Sequence, residues 1–174
     1  MKAKFPRTLA VLVLALGLSA LARAAYSQDV EWIADKRGCK VANPYPRAGE
    51  TITWTGECKD GFAHGQGVLQ WYLHGKEDDR YEGNLERGWA EGQGTLYKGG
   101  GGGKYEGQWQ QSLQHGRGRY EDPDGSWYDG QWQNGKPHGS GQYRRPDGRM
   151  FMGQWREGVF EGDEENPQQD PNRI

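Results

Sequence analysis

The sequence predicts an all-β protein, an elongated and twisted sheet of stacked antiparallel β-hairpins. Composition is the first observation behind this. Of 174 residues, 29 are Gly, 8 Trp, 9 Tyr and only 4 Phe. Leu, Ile and Val are scarce beyond residue 24, which rules out a thick aliphatic core, whereas aromatics with glycine suit short strands and tight turns. The glycines do not recur at every third residue, so the chain is not collagen. Its aromatic content sets it apart from a wholly disordered chain. A motif repeated five times is the second observation. Its period, near 23 residues, is the third, because it leaves no room for a helix joining parallel strands.

Residues 1–24 read as a signal peptide. Lys2, Lys4 and Arg7 supply a basic start, Leu9 to Leu18 an apolar stretch, and Ala22 and Ala24 the small residues of a cleavage site between Ala24 and Ala25. The apolar stretch falls short of the ~20 residues needed to cross a bilayer. Cleavage removes Lys2, Lys4, Arg7 and Arg23 and takes the net charge from -2 to -6. That sign excludes nonspecific nucleic-acid binding and weakens the case for an anionic lipid surface. The expected location is periplasmic or secreted.

Residues 25–53 read as an N-terminal leader and cap. The chain has two cysteines, Cys39 and Cys58, and export would carry them into an oxidising compartment. Residues 39–43 and 50–58 read as strands around a Pro44-Tyr45-Pro46 turn, and a hairpin centred at residues 48–49 sets Cys39 opposite Cys58. The expectation is a disulfide contributing about 3 kcal/mol that also protects the N-terminal edge of the sheet. A reactive or metal-binding thiol pair is the alternative.

Residues 54–162 hold about five repeats. The segment Tyr105-Glu106-Gly107-Gln108-Trp109 returns as Tyr128-Asp129-Gly130-Gln131-Trp132 and as Phe151-Met152-Gly153-Gln154-Trp155. Weaker copies begin at Tyr81 and Trp54, and the starts are separated by 27, 24, 23 and 23 residues. A second signature follows each copy: His64-Gly65-Gln66-Gly67, Glu91-Gly92-Gln93-Gly94, His115-Gly116-Arg117-Gly118 and His138-Gly139-Ser140-Gly141, with a shortened end at Glu161-Gly162. Residues at i, i+2 and i+4 share one face of a strand, so Tyr, Gly and Trp face one way while Glu106, Gln108, Asp129 and Gln131 face the other. Asn134-Gly135 and Glu157-Gly158 supply hairpin turns, and Pro123-Asp124-Gly125 and Pro146-Asp147-Gly148 join one unit to the next. Glycine within these strands makes room for a ring lying across it. Five two-stranded units at ~4.8 Å per strand would extend roughly 50 Å.

The pattern Tyr-x-Gly-x-Trp-x-x-Gly-x-x-His-Gly-x-Gly resembles the membrane occupation and recognition nexus (MORN) repeat. Residues 128–141 match it throughout, and residues 105–118 match except that Ser112 replaces the turn glycine. The unit at 81–94 has Leu85 for Trp and Glu91 for His, and the unit at 54–67 has Trp54 for Tyr and Cys58 for Trp. The stretch from Cys39 to Trp71 is similar to the leader of exported bacterial proteins that carry these repeats. The resemblance implies an extended sheet serving as an interaction or assembly module. Some members of the family are linked to lipids and others to dimerisation.

Residues 163–174 continue the acids Glu157 and Glu161 with Asp163, Glu164 and Glu165, then Pro167 and Pro171, and read as an acidic disordered tail that guards the last edge. A cation-binding tail is the alternative. The run Gly99 to Gly103 between Lys98 and Lys104 lacks the first glycine and the Ser or Thr of a phosphate loop, and reads as a flexible connection. His64, His115 and His138 recur at one repeat position, and equivalent residues of neighbouring units stand roughly 9–10 Å apart, too far to share a metal held at ~2.1 Å per ligand. Carboxylates recur with the repeat too, as on a solvated face. The expectation is a non-enzymatic module without cofactor or metal that binds another macromolecule, foremost a protein partner or a second copy of itself. Cell-wall glycan stacked on Tyr105, Trp109, Tyr128, Trp132, Phe151 and Trp155 is the alternative, with lipid behind it. The competing role of those six rings is to pack against one another, and burial distinguishes the two.

Overall fold

The computed structural model describes residues 30–162; the segments read as a signal peptide and an acidic tail lie outside the described residues. No helix occurs among the described residues. Thirteen strands form one open, twisted sheet. From β5 (Phe62–Leu73) onward each strand pairs antiparallel with the next: β6 (Lys76–Glu86), β7 (Trp89–Tyr97), β8 (Lys104–Gln110), β9 (Leu113–Glu121), β10 (Trp127–Gln133), β11 (Lys136–Arg144), β12 (Met150–Arg156) and β13 (Val159–Gly162). This is the run of stacked hairpins that the repeat predicts. In β8 the alternation is complete, with Tyr105, Gly107 and Trp109 buried and Glu106, Gln108 and Gln110 exposed. The turn at Asn134-Gly135 places both residues at positive φ, 50° and 80°, the left-handed geometry of a two-residue hairpin turn.

The hairpins are also joined through their turns. The Gly88 N–H donates to Ala63 O at 2.8 Å, Ser112 to Ala90 O at 3.0 Å, Gly135 to Gln114 O at 3.0 Å and Gly158 to Pro137 O at 2.9 Å. Each donor holds the same place in its repeat, so the turns stack in a regular row. The glycine run at 99–103, expected as a flexible connection, is a hydrogen-bonded turn between β7 and β8. The Lys98 N–H donates to Gly103 O at 2.9 Å, and the Gly99 N–H donates to an Asp79 carboxylate oxygen at 2.8 Å.

The leader departs from its predicted form. It holds β1 (Glu31–Ala34), β2 (Lys40–Asn43), β3 (Glu50–Trp54) and β4 (Glu57–Lys59). The expected hairpin between residues 39–43 and 50–58 does not form. Instead β2 pairs antiparallel with β1 and touches β5 in parallel at Lys40–Phe62, while β3 and β4 both pair with β5. Pro44 and Pro46 offer no N–H with which to continue a ladder, and the Asn43 side-chain amide donates to Glu50 at 2.8 Å, which closes the loop side chain to side chain. The disulfide between Cys39 and Cys58 is present all the same, with a Cα–Cα distance of 5.4 Å. Its geometry comes from β5: Cys58 pairs with Ala63 on β4–β5, and Lys40 lies beside Phe62.

Candidate binding site

The sheet has a ring-lined inner face and a polar outer face. On the inner face Tyr105 and Tyr128 each meet two tryptophans, their own and that of the next repeat, while Tyr81, whose own repeat carries Leu85, meets only the next. Centroid distances run 5.3 Å for Tyr81–Trp109, 5.1 Å for Trp109–Tyr105, 5.1 Å for Tyr105–Trp132, 5.2 Å for Trp132–Tyr128 and 5.1 Å for Tyr128–Trp155, every pair edge to face. That is the favoured geometry for aromatic quadrupoles. The polar tip of each ring is bonded as well. Tyr105 and Tyr128 donate to the Gln108 and Gln131 carbonyls at 2.9 Å, and Trp109 and Trp132 donate to the Gly94 and Gly118 carbonyls of the preceding repeat at 3.0 and 2.9 Å. The repeat glycines make this closeness workable: a Cβ on Gly94 would stand 2.5 Å from the Tyr81 ring, and Gly118 and Gly141 face Tyr105 and Tyr128 in the same way. Burial pushes the Tyr128 hydroxyl up to about 12 and raises those of Tyr81 and Tyr105 further.

The six rings named as ligand candidates divide accordingly. Tyr105, Trp109, Tyr128 and Trp132 are between 1% and 8% exposed and are used up in packing, so none offers a free face to a sugar. Phe151 and Trp155, at the C-terminal end, are only partly buried; they lean on Phe160 at 5.9 and 5.1 Å. The two cysteines are consumed in their disulfide. Among the described residues no group of three His, Cys, Asp or Glu side chains is placed to hold a metal ion.

Two grooves flank the sheet. One, of about 790 Å³, lies on the outer face near its C-terminal end and is lined by polar groups including Asp129, Gln131, Ser140, Gln142, Gln154 and Glu161. The other, of about 770 Å³, runs between the Pro44–Arg47 loop and the inner face over Leu96, Trp109 and Leu113. One set of structural residues escaped the sequence reading. Gln108 and Gln131 were expected only to face away from the rings, yet their side-chain carbonyls accept the Arg117 and Ser140 N–H groups at 2.7 and 3.0 Å. These bonds span places where the ladders slip register, between Gly107 and Gln108 and between Gly130 and Trp132. The recurrence of Gln between Gly and Trp was the signal for it.

Tandem hairpins glued by a shared ladder of rings define a repeat protein, in which each unit is completed by its neighbours. The MORN repeat family model matches residues 54–72, 81–103, 105–127, 128–148 and 151–162, and the chain belongs to the MORN repeat family. A search among curated proteins finds none that matches it. Membership in this family is consistent with a binding repeat module.

Proposed function

We propose that this is a non-enzymatic MORN-repeat module of the cell envelope, exported through residues 1–24, that acts in protein interaction or assembly through the open C-terminal end of its sheet. The observation that carries this is the difference between the two ends. At the N-terminal end the terminal strands are tied down by the Cys39–Cys58 disulfide, whereas β13 has no covalent tie and among the described residues no strand pairs with its outer edge. There Val159 is 65% exposed, and Met150 and Met152 stand exposed on the neighbouring strand. An edge that no described strand pairs, with apolar neighbours, is a template for another strand. The disulfide supports export, since such bonds persist in oxidising compartments.

The glycan alternative loses support where the central rings are buried; what favours it now is the polar outer groove, whose amides and carboxylates suit hydroxyl groups. Cosedimentation of residues 25–174 with cell-wall sacculi, and with anionic and neutral liposomes, separates the readings. The expected result is no sedimentation with any of them, together with crosslinking to protein in the envelope. Sacculus binding that is lost on Gln142→Ala would replace the assembly reading with the glycan one.

A further inference from the structure

The leader binds the repeats in a way that need not stop where the leader stops. β2 lies across the row of turns, and the Lys40 N–H donates to Gly61 O at 3.0 Å while the Ala42 N–H donates to Gly88 O at 2.9 Å. Gly61 and Gly88 hold the same turn position in successive repeats, and the next residues in that series are Ser112 and Gly135. Alternate residues of β2 supply the donors, so the third would be residue 44, a proline without an N–H. At that point the chain turns off the row through the exposed Tyr45, and Arg47 ties it to Glu50 and Asp78 instead. The turn-to-turn bonds continue unchanged through Ser112 and Gly135, so the row of acceptors runs on. The carbonyls of Ser112 and Gly135 receive no backbone hydrogen bond from the described residues. They border the 770 Å³ inner-face groove, whose floor here is Leu96, Trp109 and Leu113.

We propose that this groove is a peptide site. It takes an extended segment of a partner protein, which continues the line of β2 and donates alternate backbone N–H groups to Ser112 O and Gly135 O. The leader is its template. Beneath β2 the inward residues after the turns are Ala63 and Ala90, both buried, and their small size lets Val41 and Ala42 sit down to full burial. Beyond β2 the same positions carry Gln114 and Pro137. The fitting peptide therefore has apolar side chains toward the Trp109 and Leu113 floor and a small polar one where it meets the Gln114 amide. Backbone bonds hold such a strand and alternate pockets select its sequence. This rests on the binding-module reading but uses a different surface from the β13 edge.

The test screens the full mature chain against a phage-displayed library of random peptides. Enrichment of peptides with alternating apolar residues is expected, with binding about tenfold or more weaker to Leu113→Glu and unchanged to Gln93→Glu, a control at an exposed position of β7. On the wild-type protein, synthetic versions N-methylated at the residues that face the turns should lose binding, and versions methylated at the intervening residues should keep it. No enriched peptide, equal binding to Leu113→Glu, or indifference to the position of methylation would overturn the proposal. Sedimentation of the same preparations reads the β13 edge separately, so failure here with self-association intact condemns the groove alone.

Discussion

The two ends of the sheet are held by different physics. Around Cys39 the chain is secured by a covalent bond, by backbone bonds to the turns and by carboxylates set among donors. Asp35 accepts the Arg37 and Cys39 N–H groups at 2.8 and 3.0 Å, and Glu50 accepts from Asn43 and the Arg47 N–H at 2.8 and 3.0 Å. From Tyr81 to Trp155 no covalent tie recurs, and the inner face is rings against rings. The cap is a local closure specific to this chain, whereas the ladder is one rule applied repeatedly. Damage to the ladder therefore spreads to neighbouring repeats and damage to the cap stays where it is made.

Trp132→Ala tests this with the largest effect. Trp132 touches Tyr105 and Tyr128, and its loss should cost about 3–5 kcal/mol in denaturant unfolding, with amide protection falling in the repeats on both sides. Cys39→Ser opens a loop spanning a sequence separation of 19 and should cost about 3 kcal/mol. Its loss of amide protection should be confined to β1, β2 and β4, and loss reaching β10 would erase the distinction between the regions.

Opposite extremes of pH should also separate them. In the cap, burial works against the charged forms of Asp35 and Glu50 but is outweighed by their hydrogen bonds, which hold both below the ordinary values of 3.8 and 4.5. Their contribution is fully present above those values and is lost as pH falls through the lowered ones. In the ladder, burial raises Tyr128 from 10.0 to about 12, so its contribution is complete below pH 10 and is lost as pH rises through 12. Acid should loosen Cys39–Asn43 first, followed by amide exchange, and alkali should first abolish the near-ultraviolet dichroism of the rings. A single transition shared by both regions at both extremes would contradict this.

The repeats were legible because they state one pattern several times over. Tyr105, Gly107 and Trp109 announce a strand face by their spacing, and Asn134-Gly135 announces the turn. What spacing could not show is that each ring finds its partners across repeat boundaries, which turns a candidate ligand surface into the core at Tyr105, Trp109, Tyr128 and Trp132. The leader was the harder segment. The Cys39–Cys58 pairing was correct, but β2 lies across the turns rather than against β3, and a four-residue strand held by the backbone of other loops leaves no periodic trace in its own side chains. Gln108 and Gln131 were read by polarity alone, which is silent about a side-chain carbonyl that accepts an N–H of the neighbouring strand.

Val159→Lys gives the smallest stability change and the most direct test of function. On so exposed a side chain it should move unfolding by no more than ~0.5 kcal/mol, yet it places a charge on the edge offered to a partner strand. Sedimentation equilibrium of residues 25–174 should show reversible self-association of the wild-type chain and a monomer for Val159→Lys. A wild-type chain that stays monomeric at every concentration, or a variant that associates equally well, would contradict assembly through the open end.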